Sequence, residues 1–541
     1  MTIQRELADI QGNILSAYGR LGFPKGRFLL LNVANAAAGR MVIDMLRPIV
    51  TTAVRWPSKS NPYPPGTIYQ ARPEVAVNLA FTFRGLLALD VPIRTLRGMP
   101  DEFIDGMAAR ADILCDNYPH NIKETWDPVW RPTTDPLRRV HILVTLNAQM
   151  KPDGTPVDRL DEITREIAAL CDQTKGGVTV LSGHRGDNAA YQDLSALLQQ
   201  AGDGTYYPIP VEHFGFVDAI GDPVFEGQVP DENMAREVIG QGKLMADQTW
   251  QPIAAGEFLL GHPDESQEIA GHAMPMDFSR NGTFFAYRKL HQNVAGFRNY
   301  LASKADAFAA VMQVPRAEAE PTLMAKIAGR WADGVPLVSA PTFGEWQAVR
   351  TRRAAAEAAG DKATLAALDR ALVDFTFAGD PDGAKCPFGS HLRRSNTRDM
   401  LDPHLSTHDP KQVNGSVLNN RRRILRRGLP YGAAQPGGDD TGEHGIVMLA
   451  ACASLFRQFE FVQQQWMQYG LDFMAGNDTC PIIGNHGEDA KFVIASDPAS
   501  GKPPFICDRL PQFVETRGGD YFFVPSMTAL RMIATGVVDP T

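Results

Sequence analysis

Apolar runs of strand length alternate with stretches of helical spacing through the first two hundred residues. Residues 27–33 read Arg-Phe-Leu-Leu-Leu-Asn-Val, the length and composition of a buried strand. Ala36, Met41, Ile43, Met45 and Leu46 then recur at helical spacing across residues 36–50. Residues 74–83 predict a second strand, 85–89 and 100–114 helical segments, and 140–146 a third strand. Over residues 158–171, Leu160, Ile163, Ile167 and Leu170 fall three and four apart, the stripe of an amphipathic helix, and 177–181 supply a closing strand. That alternation predicts a βαββαβ unit, an antiparallel sheet covered by helices. No Gly-x-Gly-x-x-Gly run opens a helix, which argues against a dinucleotide site.

After Gly202-Asp-Gly204 the pattern begins again, which sets domain limits at 1–205 and 206–541. Strands are predicted at 258–260, 283–287 and 520–524, a strand running into a helix over 448–468, and a last helix over 527–533. Residues 289–307 place Leu290, Val294, Phe297 and Leu301 on one helical face. The Ala-rich stretch 343–377, dense in strong helix formers, reads as an insertion forming a solvated helical hairpin, or else a lid or an oligomer contact. Residues 399–420 and 430–445 read as loops.

Composition narrows the function classes. With 44% hydrophobic and 21% charged residues over 541 positions, the chain is an ordinary globular protein long enough for two cores. A formal charge of -9 argues against nucleic acid as the main partner. Six scattered cysteines contain no Cys-x-x-Cys pair, so neither a zinc ribbon nor covalent haem attachment is indicated. The first residues lack the apolar core of a signal peptide and no run of about 18 apolar residues occurs, so a cytoplasmic protein is expected. His404 and His408 stand four apart, but without a Glu-x-x-His frame they make a poor metal pair.

The chemistry concentrates in three stretches. Cys386-Pro-Phe-Gly-Ser-His391 carries a histidine among turn formers, either a structural imidazole or an axial ligand to a haem iron. Arg423-Ile-Leu-Arg426-Arg427-Gly-Leu-Pro-Tyr431-Gly432 offers two adjacent guanidiniums. His213-Phe-Gly215-Phe-Val-Asp218-Ala219-Ile-Gly221 carries a carboxylate that spacing alone would make a turn or cap residue.

Together these stretches resemble the dye-decolorizing peroxidases, whose proximal histidine, distal arginine and Gly-x-x-Asp-Gly run they match in order; Ala219 replaces the usual second glycine. Similarity continues at Asp9-Ile-Gln-Gly-Asn-Ile-Leu15, Gly256-Glu-Phe-Leu-Leu-Gly-His-Pro-Asp-Glu265 and Thr516-Arg-Gly-Gly-Asp-Tyr-Phe-Phe-Val-Pro525, so it spans nearly the whole chain. The resemblance implies an α+β protein of two ferredoxin-like (βαββαβ) domains, antiparallel sheets covered by helices, with non-covalent haem b in the C-terminal one. It implies a peroxidase that reduces hydrogen peroxide and oxidises dyes or phenols in one-electron steps through a ferryl state, with an acidic optimum. His391 would be the axial iron ligand, Asp218 the acid-base group and Arg426 the cation that steadies peroxide heterolysis. Arg398 would meet a haem propionate, and Asp478, two residues before the Cys480 that fills the family's acid slot, would be the carboxylate partner of His391. Tyr431 and Trp466 are candidates to relay electrons from the surface, and residues 446–449 would form an apolar wall over the iron. A haem carrier or sensor is the alternative class.

Overall fold

The computed structural model describes residues 3–56, 71–117, 121–186, 188–218, 220–401, 415–433 and 439–538. The first half runs β1 (Lys25–Val33), α1 (Ala36–Leu46), β2 (Val75–Phe81), β3 (Ile142–Ala148), α2 (Asp158–Gln173) and β4 (Val178–Val180), followed by the short strand β5 (Gln192–Ser195). β1, β2 and β3 are built of Leu, Val, Ile, Phe and Ala with few interruptions, because one face meets helices and the other the second half of the chain. α1 starts on Asn35, whose side chain accepts from the Ala38 N–H and satisfies one of the free donors of the first turn. α2 buries Leu160, Ile163, Ile167 and Cys171, the stripe expected from spacing.

The second half repeats the plan with longer connections. β6 (Thr283–Gln292) is followed by α3 (Val294–Met312), α4 (Arg316–Ala328), α5 (Phe343–Ala359), α6 (Lys362–Ala371) and the short α7 (His391–Ser395). β7 (Leu425–Gly432), β8 (His444–Cys452), β9 (Val514–Val524) and α8 (Met527–Thr535) complete it. All the strand pairs of the large sheet are antiparallel, and its order is β7-β8-β6-β9-β2-β3-β1-β4, with β5 beside β1. Each half therefore places its third strand between the second and the first and its fourth outside the first, the strand order of a ferredoxin-like unit. The halves are joined edge to edge at one residue pair, Phe523 with Phe81.

Three expectations need correction. Residues 258–260 form no strand: the Phe258 N–H turns back onto the Ala255 carbonyl at 3.0 Å, and a buried apolar triplet carries no period by which to tell strand from turn. The helix expected from 289 begins at Val294, because β6 continues to Gln292 with neighbours on both sides; Leu290 is a strand residue. Residues 425–432 pair from Leu425 with Ala451 to Gly432 with His444 as an edge strand, so the loop expected from 430 starts later. Pro430 is tolerated there because an edge strand leaves every other N–H unpaired.

The Ala-rich insertion does fold as a helical hairpin, with a capping box on Thr342 and Glu345 opening α5. It is anchored rather than merely solvated. Trp346 stacks on the buried Trp331 with ring centres 4.5 Å apart and planes within 2°, and its indole N–H donates to Asp333. The pair belongs to a second core, under the second half, with Phe297, Leu323, Phe377 and Phe513.

Candidate functional site

A cavity of about 430 Å³ is lined from both halves, with Phe28, Thr145 and Asn147 from the first and Asp218, His391, Arg426 and Arg427 from the second. That volume falls within the range of small-molecule and cofactor pockets, roughly 300–1,000 Å³. Three elements bring the residues together. His391 opens α7, after the Pro387 turn in which the Ser390 N–H donates to the Pro387 carbonyl. Asp218 sits in an extended loop held by Val217 N–H to the Ala332 carbonyl and by its own N–H to the Pro210 carbonyl, each 2.8 Å. Arg426 is on the edge strand β7.

Strand period decides between the adjacent arginines. Along β7, Arg426, Gly428 and Pro430 are half-exposed or exposed, whereas Leu425, Arg427, Leu429 and Tyr431 are buried; on β8, Ile446 and Met448 alternate with the buried Val447 and Leu449 in the same way. Arg426 therefore faces the cavity beside Leu290, Ile446 and Met448, the apolar wall expected from residues 446–449. Its guanidinium donates to the Ile220 carbonyl at 3.2 Å and lies 3.6 Å from Asp222, which holds it over the loop that carries Asp218. Arg427 points to the opposite face, donating to the Asn13 and Ile14 carbonyls and to Asp222 at 3.0, 2.9 and 3.1 Å. Asp218 is exposed.

Below the wall, His391 Nδ1 lies 3.2 Å from Cys480 Sγ. Asp478, expected in that place, is not the partner: its carboxylate is 3.3 Å from Lys491 and its carbonyl accepts from Arg394 at 2.8 Å. Burial alone would raise the Cys480 thiol; with the His391 ring protonated and metal-free, its charge, with Arg394 nearby, outweighs this and brings the thiol down to about 7.

Arg398 is fully buried with φ of 50°, its guanidinium over the Phe375 ring at 3.8 Å. It donates to the Phe375 carbonyl at 3.0 Å, but its Nε and second terminal nitrogen have no hydrogen-bond partner among the described residues, nor does one terminal nitrogen of Arg330. Burial, with Arg330 and Arg423 beside it, drives the Arg398 guanidinium well below its ordinary range. Burial and the charge of Arg426 likewise bring Arg330 down to about 9 and Arg423 to about 10. Four arginines thus lie close together with Asp222, Asp374 and Asp399 as the neighbouring carboxylates. Such a cluster is expensive unless an anion joins it. Sequence reasoning found Arg398 and Arg426 but missed Arg330, Arg423 and Asp222; the basic run 421–427 was the available signal for Arg423. His404 and His408 fall outside the described residues. Of the proposed relays, Tyr431 and Trp466 are both buried.

The fold and this cavity define an α+β protein of two ferredoxin-like units with a cavity whose lining brings together an imidazole, a carboxylate and a guanidinium. No family model matches the chain. Among curated proteins it is similar to Peroxidase 2 of Mycetinis scorodonius, 26% identical over 97% of this chain and 87% of that one. It is 27% identical to a dye-decolorizing peroxidase of Exidia glandulosa, covering 96% of this chain and 86% of the other. Among solved structures, a dye-decolorizing peroxidase in complex with 2,6-dimethoxyphenol superposes with a TM-score of 0.68 at 23% identity, covering 98% and 99% of the two chains. The fungal enzyme of Auricularia auricula-judae gives 0.68 at 22% identity with the same coverage. Over nearly its whole length the chain is therefore similar to dye-decolorizing peroxidases, and it shares their fold.

The residues present fit haem. The imidazole is a nitrogen donor at the cavity wall, the sheet supplies an apolar face, and behind the cavity-lining Arg426 the buried Arg330 and Arg398 carry donors without a partner among the described residues, which suit carboxylates such as propionates.

Proposed function

We propose that this protein is a haem b peroxidase that reduces hydrogen peroxide and oxidises aromatic donors such as phenols and dyes. The observation that carries the reading is that Asp218, Arg426 and His391, from three separate elements, line one cavity. Haem, held non-covalently, would supply the iron and the redox capacity for two one-electron oxidations of a donor. His391 would hold the iron through Nε2, since Nδ1 is engaged by Cys480. Arg398 and Arg330 would take the propionates.

Asp218 would move the proton, accepting it from one peroxide oxygen and returning it to the other, which departs as water. The Arg426 guanidinium, braced by Ile220 and Asp222, would stabilise the negative charge on the departing oxygen. Leu290, Ile446 and Met448 keep water from the reacting face. The six cysteines are all free, which supports a reducing, cytoplasmic compartment, and no described helix is long and apolar enough to cross a membrane.

The test is an absorption spectrum of the isolated protein before and after one equivalent of peroxide. Parent protein should show a haem Soret band that shifts on mixing, and His391→Ala should lose the haem. In Arg426→Leu the ferric band should persist while the reaction with peroxide slows by about 10²–10³-fold. A colourless parent protein, or an Arg426→Leu variant that reacts at the parent rate, would overturn this reading.

A further inference from the structure

His391 and Cys480 are held in contact from both sides. Cys480 is fully buried, its N–H donates to the Met467 carbonyl at 2.7 Å, and its own carbonyl accepts from the Gly484 N–H at 2.9 Å. Arg394, also fully buried, donates to Gly389 on the histidine side and to Trp466, Tyr469 and Asp478 carbonyls on the cysteine side, at 2.8 to 3.1 Å. One guanidinium thus staples the turn before His391 to the loop before Cys480. The sulfur is the side-chain atom that meets the His391 ring, because Asp478 faces Lys491.

An imidazole bound to iron through Nε2 carries its proton on Nδ1 and must donate it. Histidines that bind metals mostly give this proton to a carboxylate, a backbone carbonyl or a water, and the partner sets ring orientation and ligand basicity. Sulfur accepts hydrogen bonds weakly. It can fix the ring plane and the tautomer, yet it draws less on the N–H than a carboxylate would, and leaves the imidazole a poorer electron donor.

We propose that Cys480 is the positioning residue of His391, accepting its Nδ1–H where a carboxylate is usual, and that it sets the bound haem at a higher ferric/ferrous potential than a carboxylate partner would. The inference rests on His391 being the iron ligand and on nothing else in the peroxidase reading.

The experiment uses the haem-loaded full chain and reads the ferric/ferrous midpoint potential by spectroelectrochemistry and the iron–histidine stretch of the ferrous form by resonance Raman. Cys480→Asp should move the equilibrium at least tenfold toward ferric iron, about 59 mV lower for one electron, and raise the stretching frequency. Cys480→Ala, which removes the acceptor at little cost in volume, should raise the potential and lower or broaden the stretch. Asp478→Asn should change neither. The idea fails if both Cys480 variants keep the parent potential and band, or if Asp478→Asn shifts them as far as the Cys480 variants do. Because the Ala variant is small and apolar, it decides the matter even where a buried aspartate prevents folding. A protein that takes up no haem, or whose iron–histidine band survives His391→Ala, would instead undo the ligand assignment itself.

Discussion

At the residue scale, neighbouring side chains in one motif have opposite duties. Arg426 and Arg427 share a sequence context, yet alternation along β7 sends the first into the cavity and the second into the core. The same scale governs pH response. His213 and His291 are buried near His444, with ring centres 5.7 and 4.9 Å from it, and burial with mutual charge repulsion holds both down to about 4. Burial similarly brings His141 to about 4 and His184 to about 3. An unfolded histidine titrates near 6.5, so between roughly 6.5 and 4 the unfolded chain binds more protons at these four sites. The stability they contribute is complete above that window and is lost as pH falls through it. Glu212, which burial raises to about 7, and Asp520, raised to about 6, act in the opposite direction with Glu102, Asp127, Glu257 and Asp399, which burial also raises, but His262, His272, His444 and His486 are lowered too, so the histidines outnumber them. The melting temperature should therefore drop from pH 7 to pH 5 by several degrees; a flat or rising profile in scanning calorimetry would contradict the assignment.

At the scale of the element, β7 is the part whose sequence and structure disagree most. Glycine and proline at 428, 430 and 432 look like turn formers, and β8 nevertheless imposes a full antiparallel register on them. Gly428 shows why the residue type was needed: its φ is 136°, and a Cβ there would lie 1.9 Å from the Val447 carbonyl oxygen. Gly428→Ala should thus push the edge strand off its partner, at a cost of about 3 kcal/mol or more. Urea denaturation measures this directly, and a midpoint equal to the parent's would show that the strand tolerates the side chain. The insertion gives the converse case. Its helices were legible from composition and from the Thr342 and Glu345 box, whereas the stacking of Trp346 on Trp331 was not, because the partner lies on another segment of the chain.

At the scale of the whole molecule, one sheet runs through both halves, but the strands of the two halves meet at a single residue pair. Side chains must supply the rest of the joint. Arg427 does so by binding Asn13 and Ile14 of the first half and Asp222 of the second, with almost no exposure. Removing one partner of such a buried pair leaves the other uncompensated, so Arg427→Ala should cost about 3–5 kcal/mol and make the halves unfold in separate steps. Arg426→Leu, at the cavity, should leave the thermal transition near the parent's. If calorimetry finds the two variants equally stable, the division of labour between these arginines is mistaken.

By itself the sequence determined the repeated strand and helix order, since periods of two and 3.6 report which face of each element leaves water, and it determined the three motifs that meet at the cavity. Periodicity is local, and so it could not say that β6 continues to Gln292, that residues 425–432 form a strand, or which of two adjacent arginines turns inward; those follow from hydrogen bonds to β8 and β9, remote in the chain. The partner of His391 was decided the same way. Asp478 was the chemically expected choice, but the loop from Met467 to Gly484 presents Cys480 to the ring, and only the path of that backbone through the fold determines which side chain arrives there.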